Sequence, residues 1–340
     1  MSATTEITPL GEQDRQNGPA ASSGAVIAIA IGRNEGERLL RCLRSLQPQV
    51  GRIIYVDSGS TDDSVSRARA LGAEVVPLDM SLPFTAARAR NAGLAGADDA
   101  EFIQFVDGDC EVEAGWITTA LAALQSDPKL AIVAGRRREL HPEASIYNRL
   151  CDAEWDTPVG PAEAVGGDML VRRAALAQIG GFDPSLIAGE EPEMCLRMRQ
   201  AGWTIRRIDA PMTIHDAAML RHAQWARRAR RAGHAFAEVS WRHRDDPEGF
   251  WRRETRRALL WGIGLPLIIL LGAMITPLFW WLLLIYPAQM ARIALRDPHR
   301  PERWKRAFYT VLGKFPEARG ALEFHLRRLI GRRSGLIEYK

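Results

Sequence analysis

The stretch "GRIIYVDSGSTDDSVSRARALGAEVVPL", residues 51–78, decides the fold. Its β-branched run ends in a polar Gly-Ser turn. The spacing predicts a helix opened by Thr61 or Asp62, and then a second apolar run predicts a second strand. Working outward, the upstream "AVIAIAIG" (25–32) reads as a buried parallel strand. In "NEGERLLRCLRSLQP" (34–48), Leu39, Leu40, Leu43 and Leu46 repeat at helical spacing until Pro48 stops the helix. Downstream, a helix through "FTAARARNAGLAGA" (84–97) leads into "FIQFVDGDCEVE" (102–113), an apolar strand ending on two aspartates. Strand and helix alternate over short connections, which means an α/β fold with a doubly wound parallel sheet. "WITTALAALQSD" (116–127) predicts a further helix and "KLAIVAGRRREL" (129–140) a strand. The following region has no clear period until a helix begins near Glu191 or Pro192.

Ligands of such sheets bind beyond the carboxyl ends of the strands, and the acids collect there. No G-x-G-x-x-G follows a strand and no Walker lysine motif occurs, so phosphates need another partner. Asp107 and Asp109 offer one. Two carboxylates at about 4 Å repel by roughly 4 kcal/mol at an effective dielectric of 20, so their convergence calls for a proton or a cation. A divalent ion there would also neutralise a diphosphate. Asp-Gly is equally a turn dipeptide, and both readings stand at this point. Asp57, at the end of "YVD", is placed to accept from a base edge or a ribose, while Thr61 or Asp62 needs no role beyond N-capping. Glu190 and Glu191 open a helix, where acids also complement the dipole. Glu193 and Arg197 form an ordinary i,i+4 pair.

Taken together, "VDSGSTDDS", "RARNAGLAGA", "FVDGDC", "GGDMLVRRAALAQIGGFD" and "GEEPEMCLRMRQAGW" resemble, in this order and spacing, the motifs of the family-2 glycosyltransferases. The resemblance covers roughly residues 25–215. It implies the GT-A fold, a Rossmann-like mixed sheet that binds nucleotide-diphospho-sugars. Carried over residue by residue, it implies that Asp57, Arg90, Asp107 and Asp109 bind the donor. Asp107 and Asp109 would hold Mg²⁺ or Mn²⁺, Asp109 more directly. Glu191 would be the catalytic base of an inverting displacement, standing where the family usually has aspartate, and Ser58 replaces the usual second aspartate of the nucleotide motif. Asp168, Glu190 and Trp155 would lie on the acceptor side. His215 in "TIHDAAM" aligns loosely with a histidine that some members place near the diphosphate. Two alternatives are a haloacid-dehalogenase-type phosphatase, which needs Thr or Val where Glu111 stands, and a degenerate membrane-bound sugar-binding or scaffold protein of the same fold. "QWARRARRAG" (224–233) resembles the Q-x-x-R-W of processive synthases with its tryptophan displaced. A single-sugar transfer in polysaccharide or glycolipid biosynthesis is therefore expected.

The C-terminal third changes character. Residues 258–291 carry no charge, flanked by Arg252, Arg253, Arg256 and Arg257 before and by Arg292, Arg296 and Arg300 after. A single span takes roughly 20 apolar residues, so the run is long for one helix and short for two. Arginines on both flanks put both ends on the cytoplasmic side and predict a hydrophobic hairpin of two short helices. A re-entrant pair or a buried soluble hairpin are the alternatives. The expected partition is a disordered leader (1–24), a transferase domain (25–240), a basic juxtamembrane linker (241–257), the membrane hairpin (258–291) and a basic amphipathic tail (292–340). The expected location is the cytoplasmic face of the inner membrane, with a nucleotide-sugar donor and a lipid-linked or saccharide acceptor as partners. The leader has no apolar core and does not read as a signal peptide. With 340 residues, 46% of them apolar, and a formal charge of +4, the chain can bury a large core. It lacks the aromatic-interleaved basic motif of an RNA binder, and no nucleic acid is expected. Cys42, Cys110, Cys151 and Cys195 are too scattered for a zinc knuckle or a disulfide scaffold.

Overall fold

The computed structural model describes residues 26–299 and 301–331. The expected leader (1–24), Arg300 and the last nine positions of the tail lie outside the described residues. The first half alternates β1 (Val26–Gly32), α1 (Glu37–Leu46), β2 (Arg52–Asp57), α2 (Ser64–Ala70), β3 (Glu74–Pro77), α3 (Ala86–Ala95) and β4 (Phe102–Asp107). The α1 leucines read from the sequence are all buried. Thr85 caps α3 by accepting from the Arg88 amide at 3.1 Å. Next come β5 (Cys110–Val112), α4 (Trp116–Ser126), β6 (Leu130–Glu139), α5 (Ile146–Trp155), β7 (Gly160–Pro161), β8 (Met169–Arg172), α6 (Arg173–Ile179), α7 (Glu190–Gln200) and β9 (Thr204–His215).

The nine strands form one sheet in the order β3-β2-β1-β4-β8-β6-β9-β5, with β7 paired to β9. β1 to β4 are parallel, as the strand–helix alternation predicts. The wholly parallel sheet does not extend further, because β8 lies antiparallel between β4 and β6 and makes the sheet mixed. The departure falls in the region without a clear period. There Ser145 caps α5 through the Asn148 amide, and β8, α6 and α7 follow in close succession. Alternation along β1 feeds two cores: Val26, Ala28 and Ala30 face α1 and α4, while Ile27, Ile29 and Ile31 face α3, α6 and α7.

Beyond the sheet run α8 (His222–Arg242), α9 (Arg252–Leu259), α10 (Leu265–Ala273), α11 (Ile285–Arg296), α12 (Arg303–Leu312) and α13 (Lys314–Leu329). A π-helical turn at Leu260–Gly264 joins α9 to α10, and a 3₁₀ stretch at Pro277–Leu284 leads into α11. Arg252–Ala273 and Pro277–Arg296 are therefore two helices long and apolar enough to cross a membrane, and they form a hairpin. The tail is docked on the rest of the protein. At Gly233 of α8 an added Cβ would sit 1.9 Å from the Glu317 carbonyl oxygen, and at Gly320 of α13 one would sit 1.9 Å from that of Arg230. Only glycine lets these two helices approach so closely, and the Arg230–Glu323 ion pair closes their rim. The base of the hairpin joins them where Gly262 meets Lys314.

Candidate active site

Four strand ends and one helix start converge at the carboxyl edge of the sheet. β2 delivers Asp57, whose carboxylate accepts from the Tyr55 hydroxyl at 3.0 Å and from the Gly59 and Ser60 amides at 3.1 and 3.0 Å. The acid thus shapes the Gly-Ser turn that follows it. Asn34 braces the same turn from the β1 side, its side-chain oxygen accepting from the Thr61 amide at 2.7 Å.

β4 delivers Asp107, which stands over α3. Arg90 of α3 is almost fully buried and is held by three carboxylates: Asp107 at 2.9 Å, Glu190 at 3.1 Å and Glu191 at 3.0 Å. A buried guanidinium with fewer partners would be strongly unfavourable, so the cluster stands or falls together. The approach is possible because residue 167 is glycine. An added Cβ there would lie 2.4 Å from Arg90 Nη2 and 3.0 Å from an Asp107 oxygen. α7 enters the site through Gly189, which has φ +81 and lies under the Trp251 ring, at 3.0 Å from where a Cβ would stand. Burial and the neighbouring Glu190 push the Glu191 carboxyl up to about 7, with Arg90 pulling the other way.

Asp168, expected on the acceptor side, is wholly buried and works as a brace. It accepts from the Asp107 amide at 3.1 Å and the Thr213 hydroxyl at 2.7 Å, and pairs with Arg137 at 2.8 Å. Asp109 turns the other way. β5 pairs with β9 so that Cys110 faces His215, which brings the His215 Nε2 to 3.1 Å from an Asp109 carboxylate oxygen. Burial and the Arg137 guanidinium hold the ring at about 4, so it is neutral near pH 7. Its other nitrogen, Nδ1, is buried without a hydrogen-bond partner. Trp155 stacks on this histidine, centroids 4.8 Å apart, with the Arg137 guanidinium 5.5 Å from the indole. It reaches the site from the end of α5 as part of this stack.

The residues expected from the sequence are therefore gathered in two adjoining groups. Arg90, Asp107, Glu190 and Glu191 form one, and Asp109, His215 and Trp155 form the other, with Asp168 and Arg137 between them. Asp57 lines the same edge two strands over from β4, with β1 between them. Sequence reasoning missed Arg137, Thr213 and Gly167. Arg137 sat in a run of three arginines with nothing local to mark it, and Gly167 had the weak signal of a Gly-Gly pair before a strand.

A mixed sheet with this strand order, an Asp-Gly-Asp turn at its carboxyl edge and an acidic helix start opposite defines the GT-A class of nucleotide-diphospho-sugar transferases. Residues 28–158 match the profile of "Glycosyl transferase family 2", and residues 153–295 match that of "Glycosyl transferase family group 2". The chain belongs to the family-2 glycosyltransferases. A pre-mycofactocin glycosyltransferase of Mycobacterium tuberculosis is 29% identical over 245 residues, 67% of this chain and 50% of that one. An O-antigen chain rhamnosyltransferase of Salmonella anatum is 26% identical over 170 residues, 46% of this chain and 54% of that one. The chain thus spans about half the length of these curated relatives. Among solved structures, a mannosyltransferase from Pyrobaculum calidifontis, in complex with GDP-Man and Mn2+, shares the fold. It aligns with TM-score 0.58 at 18% identity over 88% of this chain and 87% of that one.

Proposed function

We propose that the protein is an inverting, metal-dependent glycosyltransferase that moves one sugar from a nucleoside-diphosphate donor to a hydroxyl of a lipid-linked or membrane-proximal acceptor. It would work at the cytoplasmic face of the inner membrane, in polysaccharide or glycolipid biosynthesis. The observation that carries this reading is the convergence of Asp107 and Glu191 on one nitrogen of the Arg90 guanidinium, Nη2, at 2.9 and 3.0 Å. Such an arrangement holds a base and a donor-binding acid side by side at one edge.

Asp57 and its Gly-Ser turn would receive the nucleoside. Asp107, fixed by Arg90 and by the hydrogen bond its backbone amide donates to Asp168, would face the ribose and diphosphate. The donors fit a divalent ion: a buried carboxylate and a neutral imidazole 3.1 Å apart, with Asp107 nearby. Asp109 and His215 would hold it directly, with Asp107 and the diphosphate supplying further oxygens. When bound there, Mg²⁺ or Mn²⁺ would neutralise the charge that builds on the departing diphosphate. Mn2+ in the Pyrobaculum mannosyltransferase supports the choice. Glu191, its carboxyl poised near neutrality, takes the proton from the acceptor hydroxyl as that oxygen attacks the anomeric carbon from the face opposite the diphosphate. Inversion follows from the single displacement. The hairpin supports a membrane-held acceptor, because Trp251, at the head of the helix that leads into it, covers Gly189 at the start of the base-bearing helix.

The test is a screen of nucleotide sugars with protein-containing membranes, with and without Mn²⁺. Metal-dependent release of nucleoside diphosphate with product of inverted anomeric configuration is expected. Retention of configuration, or no turnover with any donor, would refute the reading.

A further inference from the structure

We propose that residues 258–291 enter the bilayer as a re-entrant hairpin whose tip, residues 274–276, stops within the hydrocarbon and never reaches the opposite headgroups. The inference rests on the membrane reading above and decides between crossing and dipping.

Length is the first argument. At 1.5 Å per residue, residues 258–273 rise about 24 Å against about 30 Å of hydrocarbon. The returning arm, residues 277–291, rises about 26 Å even with its 3₁₀ stretch at about 2.0 Å per residue. The first arm starts beside Arg252, Arg253, Arg256 and Arg257 and the second ends beside Arg292 and Arg296, which pins both feet to one surface.

The tip is the second argument. A loop that emerged on the far side would meet water and headgroups, yet the most exposed large apolar residues of the hairpin are Met274 (84%) and Ile275 (85%), with Leu278 (68%) close by. Between residues 258 and 291 no charged residue is available to hold a far surface. Trp280 and Trp281 follow the tip by several residues, so anchoring them in the far headgroups would push Met274 and Ile275 out into water.

The backbone supplies the third. A turn in hydrocarbon must satisfy its own polar groups. The Ile275 and Thr276 amides both donate to the Gly272 carbonyl at 2.9 Å, residue 277 is proline, the Leu278 amide donates to the Thr276 hydroxyl at 3.5 Å, and the Phe279 amide donates to the Thr276 carbonyl at 3.3 Å. No amide donor from 275 to 279 is left over. The arms also lock together, since Phe279 packs on Gly272 where any Cβ would lie 2.0 Å from its ring, and the Tyr286 hydroxyl donates to the Trp261 carbonyl at 2.8 Å.

The test uses the full chain carrying Ile275→Cys, whose four native cysteines are buried. Labelled with an environment-sensitive fluorophore and reconstituted into vesicles of equal parts phosphatidylcholine and phosphatidylglycerol, it should be quenched by spin labels at the acyl-chain centre. In intact spheroplasts and in inverted vesicles, the unlabelled thiol should react with a membrane-impermeant maleimide at least about tenfold more slowly than Asp297→Cys on the flank, because a thiolate does not form in hydrocarbon. Reaction from the side opposite the catalytic domain would overturn the proposal in favour of crossing. Reaction from the domain side, without deep quenching, would overturn the membrane reading as well. Ile275→Arg provides a second readout: a tip in hydrocarbon should bind the same vesicles about 100-fold more weakly. Unchanged binding would mean that the tip reaches a headgroup layer.

Discussion

Arg90 illustrates how little a single residue shows by itself: the sequence marks it as part of an R-N-x-G helix, and its three carboxylate partners come from two distant segments. Glu191 is the residue on which the proposed chemistry turns. Its replacement by Gln should lower turnover by 10²–10⁴-fold, roughly the contribution of a placed base, with donor affinity unchanged in a nucleotide-sugar titration. If Glu191 is the base it must be unprotonated, and since its carboxyl is raised to about 7, turnover should fall about tenfold per pH unit below that value. The same shift has a consequence for stability. A carboxyl raised from 4.5 binds its proton more tightly in the folded state, so the stability it contributes is complete below about pH 4.5 and lost as pH rises through about 7. The Tm of Glu191→Gln relative to the parent should therefore increase between about pH 5 and about pH 8. Gly167→Ala should cost about 1–3 kcal/mol of stability in thermal melts and weaken donor binding, because the new Cβ must displace Arg90 or Asp107. Gly166→Ala meets nothing nearer than 3.6 Å and serves as the control.

At the scale of elements, the strands and helices up to β4 read cleanly while the segment between β6 and α7 did not. β1 to β4 announce themselves through apolar runs ending in acids, and α1 through its leucine period. α5, β8 and α6 are short, and no apolar period marked them. The docking of α13 on α8 had no sequence signal beyond two glycines, since helix contact depends on which faces meet. Gly320→Ala should destabilise the protein by about 3 kcal/mol, as a Cβ 1.9 Å from the Arg230 carbonyl oxygen cannot be relieved without parting the helices. Limited proteolysis should then cut within α12 or α13 first. Gly264→Ala, whose nearest neighbour lies 3.5 Å away, should behave like the parent.

For the whole molecule, Trp251, at the head of the helix that leads into the hairpin, covers Gly189 at the start of α7, which puts the proposed base beside the route of the proposed membrane-held acceptor. An alkaline carbonate wash, which strips proteins held by charge alone, should leave the protein in the membrane fraction, and detergent should release it; release by carbonate would reduce the attachment to the arginine flanks. The order of strands and helices from β1 to β4, the acids at the strand ends and the uncharged run between arginine flanks were determined by the sequence by itself, because each is written in local periodicity and in the spacing of adjacent residues. The pairing of Asp109 with His215, the bracing of Asp107 by Asp168 and Arg137, and the collar of acids around Arg90 were decided only by the tertiary structure. Those contacts join residues 17 to more than 100 positions apart, and sheet register and helix docking, which no local pattern encodes, bring them within hydrogen-bond reach.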